Sequence, residues 1–217
     1  MNKLLDLGAH TFEGINHLLH RGIIDSSYGI YSFEPNPTVY NKALKKLEEN
    51  AKKFQYLNLY DYAVGNKDEE VVFHLDESKV SEACNILDQP PNLKELWQRP
   101  EWNWTQINVK CISAKTLFEL CDIQANDYVK IKCDIEGYEG IVFQEIKSVI
   151  ATQRPFVQLE ISEENKTQLL ALFNELDYLQ FGICDAHFVS EEGVQKEEGD
   201  YFFVPKEKLK VFQNYIS

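Results

Sequence analysis

The chain has 217 residues, 44% of them hydrophobic, with 13 Phe and 11 Tyr, which suits one α/β domain with a full core and excludes a disordered segment. A formal net charge of −13 repels a phosphate backbone, so no nucleic-acid partner is expected. No apolar run approaches the ~20 residues that span a bilayer, and strand character starts almost at Met1 without the basic and apolar regions of a secretory leader. The five cysteines are odd in number and lack CxxC pairing, so they read as reduced thiols. The expectation is a cytoplasmic protein with no membrane contact. Lys42, Lys45, Lys46, Lys52 and Lys53 interleave with Glu48 and Glu49, which reads as a solvated helix face.

In chain order, Lys3–Gly8 is a short apolar strand, and apolar residues at 12, 15, 18 and 19 predict a helix over Phe12–Leu19. Gly29–Phe33 is a second strand. Pro37 opens a helix over Thr38–Ala51, with Val39, Ala43, Leu44 and Leu47 on one stripe. Phe54–Val64 reads as the third strand, and Glu70–Leu75 as a further one. Residues 77–103 are irregular, broken by Pro90, Pro91 and Pro100. Trp97, Trp102 and Trp104 suggest either a satellite core or a stacking wall. Gln106–Ile112 returns to strand character, and Ser113 N-caps a helix to about Cys121. Tyr128–Cys133 and Phe156–Ile161 are the fourth and fifth strands of the main sheet. The helices Tyr138–Ile150 and Asn165–Leu176 follow them. Tyr178–Cys184 and Tyr201–Val204 are strands joined by the acidic turn Ser190–Asp200, and Lys206–Tyr215 is a terminal helix.

This alternation predicts an α/β fold with a mainly parallel, seven-stranded sheet, helices on both faces and an antiparallel hairpin at one edge. One domain over 1–217 is expected, with an inserted segment at about 66–112.

Ligands of such sheets bind at the carboxyl ends of the strands. Two of these ends carry acid and glycine. After the first strand, Gly8 permits a tight turn and close approach of a ligand. Glu34, 20 residues beyond Gly14, stands where a carboxylate accepts bonds from ribose hydroxyls. The loop is not G-x-G-x-x-G, because His10 and Glu13 replace the later glycines. A dinucleotide is therefore disfavoured, and a ligand with ribose but no phosphate, such as S-adenosylmethionine, fits better. At the second end, Asp134 and Glu136 follow Val129–Cys133, with Lys130 and Lys132 on one strand face as available partners. Glu139 enriches the first turn of the next helix. Asp134 suits holding a sulfonium, orienting an acceptor hydroxyl or acting as base.

Asp6-Leu7-Gly8-Ala9-His10, Phe33-Glu34-Pro35-Asn36-Pro37, Ala63-Val64-Gly65 and Ile131-Lys132-Cys133-Asp134-Ile135-Glu136-Gly137-Tyr138-Glu139, in this order, resemble the FkbM family of S-adenosylmethionine-dependent methyltransferases. The ending Tyr201-Phe202-Phe203-Val204-Pro205 is also similar. The resemblance implies a Rossmann-like class I methyltransferase fold and O-methylation of a hydroxyl on a small molecule or glycan. It implies that Asp6, Gly8, Ala9 and His10 border the methionine part of the cofactor and that Glu34 binds its ribose. Asp61, Tyr62 and Ala63 would lie near the adenine, and Asp134 and Glu136 would face the reacting centre as catalytic residues. The family's first loop reads Asp-x-Gly-Ala-Asn-x-Gly; here His10 replaces the Asn and Phe12 the second Gly.

No metal site is expected, because no two Cys or His sit at ligand spacing and two carboxylates beside one substrate do not demand Mg²⁺. Two other readings remain at this level: a non-catalytic adenosine-ligand-binding or scaffold protein that keeps the fold, and a nicotinamide-dependent oxidoreductase.

Overall fold

The computed structural model describes residues 1–76, 84–85, 104–184, 187–190 and 199–213. Its first half runs β1 (Asn2–Leu7), α1 (Glu13–His20), β2 (Tyr28–Phe33), α2 (Pro37–Ala51), β3 (Tyr56–Tyr60), β4 (Ala63–Gly65), β5 (Glu69–Asp76), β6 (Cys84–Asn85) and β7 (Trp104–Ser113). It continues with α3 (Ala114–Leu120), β8 (Tyr128–Cys133), α4 (Glu139–Glu145), α5 (Lys147–Gln153), β9 (Phe156–Ile161) and α6 (Glu163–Glu175). Last come β10 (Tyr178–Cys184), β11 (His187–Ser190), β12 (Gly199–Pro205), a 3-10 turn (Lys206–Lys208) and α7 (Leu209–Phe212).

The main sheet has eight strands in the order β11-β10-β12-β9-β8-β1-β2-β3. Strands β3, β2, β1, β8 and β9 are parallel, and β12, β10 and β11 join antiparallel. A second sheet, ordered β4-β7-β5-β6, is built from the segment between β3 and α3.

Parallel strands buried on both faces are mostly apolar on both. In β1, Leu4 packs with Ile15 and Leu18 of α1. Leu5 and Leu7 turn the other way, into a core with Val142 and Phe143 of α4 and Phe173 of α6. Two helices start where the residues predict. The Asn36 side chain accepts from Thr38 N at 3.0 Å and Val39 N at 3.4 Å, with Pro37 in the first turn. Ser113 accepts from Thr116 N at 3.3 Å.

The fold departs from expectation in four places. The apolar run 54–64 is two strands, because the chain leaves the main sheet at Asp61–Tyr62 and β4 pairs with β7 instead. The last two long strands do pair antiparallel, but β12 enters between β9 and β10, and the short β11 adds an eighth strand outside β10. The helix expected over 138–150 divides at Ile146, the residue that ends α4 and starts α5. The terminal helix is a 3-10 turn followed by one α turn, and residues 214–217 lie outside the described part. Trp97 and Trp102 also lie outside it, while Trp104 begins β7.

Candidate active site

The sheet reverses its strand order at β1, with β2 on one side and β8 on the other, which makes this the switch point where ligands bind. The two strand ends nearly touch. Asp134 N donates to the Leu7 carbonyl at 3.0 Å. Gly8 has φ +78°, and a Cβ there would stand 1.7 Å from the Asp134 carbonyl oxygen. Gly8 is therefore required by the contact between its own strand ends, before any ligand is considered.

A polar row crosses the sheet just below this point. The register aligns Ser32, Asp6, Lys132 and Gln158 on four neighbouring strands. Asp6 is fully buried; its Oδ2 accepts from Ser32 Oγ at 2.9 Å, and Lys132 Nζ lies 3.8 Å from its Oδ1. Burial raises the Asp6 carboxyl, with Lys132 opposing. The Lys132 ammonium donates to the Gly8 carbonyl at 2.6 Å and to Asp134 Oδ2 at 3.5 Å. Burial disfavours its charge, but Asp134 and Asp6 outweigh that and hold it above the usual lysine range. Lys130, on the same strand face, points elsewhere: Nζ donates to the Ile23 carbonyl and lies 5.1 Å from the centre of the Tyr28 ring. Of the two lysines, Lys132 is the partner of the acidic strand end.

Glu34, at the end of β2, organises the first loop. Its Oε2 accepts from His10 N and its Oε1 from Asn36 N, both at 2.9 Å. Burial raises this carboxyl against the pull of those two bonds. His10 and Phe12 have φ values of 48° and 71°. They hold the left-handed conformation that suits Asn and Gly, so the substituted loop is not lengthened. The Phe12 ring is fully buried in the core beside Ile15 and Leu18, which offsets the strain. Glu13 gathers the loop's other polar groups, accepting from Thr11 N at 3.1 Å and lying 2.9 Å from His10 Nδ1. Although partial burial opposes it, the bonds from Thr11 and His10 hold this carboxyl at about 2.

Glu139 organises the second loop. It is buried, and its Oε1 accepts from Ile135 N at 2.9 Å and Gly137 N at 3.2 Å. Its Oε2 accepts from Asn165 Nδ2 at 2.7 Å. These bonds stabilise a turn with Glu136 at φ +57° and Gly137 at φ +96°. Glu139 stands in the first turn of α4, as expected, and is also the clasp of the loop, a role visible only once Asn165 is brought against it. Desolvation, then the charges of Asp134 and Glu139, push Glu136 up to about 7.

The loops enclose a cavity of about 150 Å³. The structure brings Gly8, His10, Glu34, Tyr62, Ala63, Asp134 and Glu136 together in its lining. Asp6 and Ala9 are buried outside that lining, and Asp61 is exposed outside it. Phe12 does not line the cavity either, so its replacement of glycine does not fill it. Val39, Phe73 and Tyr138 complete apolar parts of the wall. Phe73 comes from the second sheet, and no local signal in its strand marks it. Tyr62 continues a stack with Tyr60 and Phe33, at centroid distances of 6.2 and 5.0 Å. Among the described residues of the lining, the charged ones are acids and His10, with no Lys or Arg.

A doubly wound sheet with a crevice at its switch point, acidic on both lips, defines an α/β protein built to hold a small ligand there. The family model for the methyltransferase FkbM domain matches residues 6–182, so this chain belongs to the FkbM methyltransferase family. The chain is similar in structure to the methyltransferase FkbM from Methylobacillus flagellatus KT, with a TM-score of 0.56 and 15% identity, over 94% of this chain and 44% of that one. It thus spans less than half the length of that protein. A precorrin-6y C5,15-methyltransferase from Geobacter metallireducens GS-15 aligns with a TM-score of 0.44 and 10% identity, over 94% of this chain and 79% of that one. No curated protein matches the chain.

Proposed function

We propose that this chain transfers a methyl group from S-adenosylmethionine to a hydroxyl of a small molecule or glycan. The observation that carries this reading is one cavity lined by Glu34 on one lip and by Asp134 and Glu136 on the other. The donor set fits the cofactor. Glu34 is held by two backbone N–H groups, one on each oxygen, and each oxygen keeps a second lone pair for a ribose hydroxyl. The acidic lining, without Lys or Arg among its described residues, suits a sulfonium and is unsuited to a pyrophosphate. That same feature weighs against a nicotinamide dinucleotide. Tyr62 and Ala63 would border the adenine, and Gly8 and His10 the amino-acid part.

When bound, the cofactor supplies an electrophilic methyl group. The residues of the chain do the rest by position and proton transfer. Asp134, fixed by Lys132, orients the acceptor hydroxyl; Glu136, poised near neutral pH, takes up its proton. The free, buried thiols of Cys111, Cys121 and Cys133 accord with action in the cytoplasm, and the net charge of −13 favours an acceptor other than nucleic acid.

The test is titration calorimetry of S-adenosylmethionine and S-adenosylhomocysteine, followed by turnover on a panel of hydroxyl acceptors. Binding of both and a loss of turnover in Asp134→Asn, with folding intact, are expected. A folded chain that binds neither compound refutes the reading. Binding without transfer to any acceptor would instead favour the non-catalytic ligand-binding protein.

A further inference from the structure

Gly14 stands in the first turn of α1. Its backbone is helical, so no left-handed turn requires a glycine there, and glycine is a poor residue inside a helix. The structure gives it another reason. The side chain of Lys132 runs across it: a Cβ at Gly14 would stand 3.0 Å from Lys132 Cε, 3.5 Å from Cδ and 3.6 Å from Nζ. The first of these is tighter than an ordinary carbon–carbon contact. Lys132 is poorly placed to give way. It is 7% exposed, and its Nζ is held by the Gly8 carbonyl at 2.6 Å and by Asp134 Oδ2 at 3.5 Å. Both partners line the cavity, Gly8 on the lip after β1 and Asp134 on the lip after β8. Displacing the ammonium therefore acts on both lips at once.

Asp6 supplies an independent observation. The family resemblance implies a place for it beside the cofactor, but it is fully buried and outside the cavity lining. Its Oδ2 accepts from Ser32 Oγ, whereas its Oδ1 has no hydrogen-bond partner among the described residues. A buried carboxylate oxygen without a donor is costly to the fold. That oxygen does face the Lys132 ammonium, 3.8 Å away. The separation is too long for a hydrogen bond and short enough for charge attraction. Asp6 thus draws the ammonium from below, while Gly14 leaves room for the lysine stem at its side.

We propose that Gly14 and Asp6 are positioning residues of the cavity that act through Lys132. Gly14 leaves the space for the lysine stem and Asp6 backs the ammonium, so that Nζ stays on the Gly8 carbonyl and Asp134 and fixes the spacing of the two lips. That this spacing serves the amino-acid end of the methyl donor rests on the methyl-transfer reading above, which puts Gly8 and His10 at that end. Glu34, which the same reading gives to the ribose, is held by other bonds, from His10 N and Asn36 N. The nucleoside part of the ligand is therefore expected to be indifferent to Gly14 and Asp6, and the amino-acid part sensitive to both.

The test compares S-adenosylhomocysteine with methylthioadenosine, which keeps the nucleoside and lacks the amino-acid part. Both are titrated by calorimetry into the full chain and into Gly14→Ala and Asp6→Asn, each variant checked for folding by circular dichroism. The wild type is expected to favour S-adenosylhomocysteine, and each variant to reduce that preference about tenfold while leaving methylthioadenosine binding unchanged. The Lys132 ammonium, assigned in proton–nitrogen NMR spectra by its loss in Lys132→Arg, is expected to shift in both variants. If Gly14 served only the helix, Gly14→Ala would raise the melting temperature and leave the preference and the ammonium signal unchanged, and that result overturns the proposal. An equal loss of both ligands in the folded variants also overturns it, because the change is then a general loosening. So does equal binding of the two ligands by the wild type. If the wild type binds neither ligand, the methyl-transfer reading falls and the ammonium signal decides the rest. A signal unmoved in both variants overturns the positioning role as well; a shifted one leaves the tie between the lips standing without the methyl donor.

Discussion

Lys132 Nζ donates to the carbonyl of Gly8 at 2.6 Å, tying the acidic end of β8 to the glycine end of β1. Two of the strands whose loops form the cavity are thus joined by one buried ammonium, which also faces Asp6 and Asp134. Breaking such a group by removing one partner leaves uncompensated buried charge. Lys132→Met is expected to cost about 3–5 kcal/mol in urea denaturation. Adding Asp6→Asn should restore part of it, because the charge stranded by the first change is then gone. A loss under about 1 kcal/mol would show that the ammonium is not what holds the strand ends together.

Glu34→Ala should weaken binding of S-adenosylhomocysteine by about 1–3 kcal/mol, the cost of a lost hydrogen-bond partner to a charged group. The change also frees the His10 and Asn36 N–H groups, so it loosens the loop as well as the ribose contact. Glu34→Gln keeps one acceptor oxygen and should lose less. Calorimetry on both variants checks the order, and unchanged affinity in Glu34→Ala removes this residue from the site.

Glu136 imposes a pH dependence with a definite sign. Its carboxyl holds a proton up to about 7 in the folded chain, against 4.5 for an unperturbed glutamate. Between these values the folded state binds more protons than the unfolded state, so this group's contribution makes stability fall as pH rises through that window. Glu136→Gln should flatten the slope of melting temperature against pH there. A variant whose pH profile parallels the wild type would place the titrating group elsewhere.

Glu139→Ala removes the clasp of the second loop. It leaves Ile135 N, Gly137 N and the Asn165 amide without their acceptor. Asn165 in turn accepts from Ser162 N at 3.1 Å, so the damage reaches the start of α6. The expected cost is about 2–4 kcal/mol in chemical denaturation, with faster amide exchange over residues 134–137. Unchanged exchange there would show that the loop holds its turn without Glu139.

Phe12→Gly makes two effects compete. Glycine relieves a left-handed residue, a gain of about 1–2 kcal/mol. The lost ring is fully buried, and deleting a buried Phe costs about 3–5 kcal/mol. Net destabilisation is expected, even though the related family loop carries glycine at this position. A rise in melting temperature would contradict the view that the buried ring offsets the strain.

Much of the framework was legible in the residues because the physics involved is local. β8 and β9 begin and end where their apolar runs do. The cap at Ser113 follows from a side chain that reaches its own backbone within three residues, and Pro37 stands in the first turn of α2 as its fixed geometry allows. The division of 56–65 between two sheets was not legible, because the run is apolar on both sides of Asp61 and only pairing with β7 separates them. The choice of Lys132 over Lys130 was equally hidden. Period two puts both on one face, and the difference lies in what packs above each: aromatic rings around one, carboxylates around the other.

The sequence by itself determined the alternation of strands and helices, the acids and glycine at two strand ends and the family to which they belong, since these depend on short-range periodicity and turn chemistry. The tertiary structure decided which of those acids share a cavity, which lysine neutralises them and where β12 enters the sheet. Those outcomes depend on register between strands far apart in the chain, and register is set by the packing of whole faces.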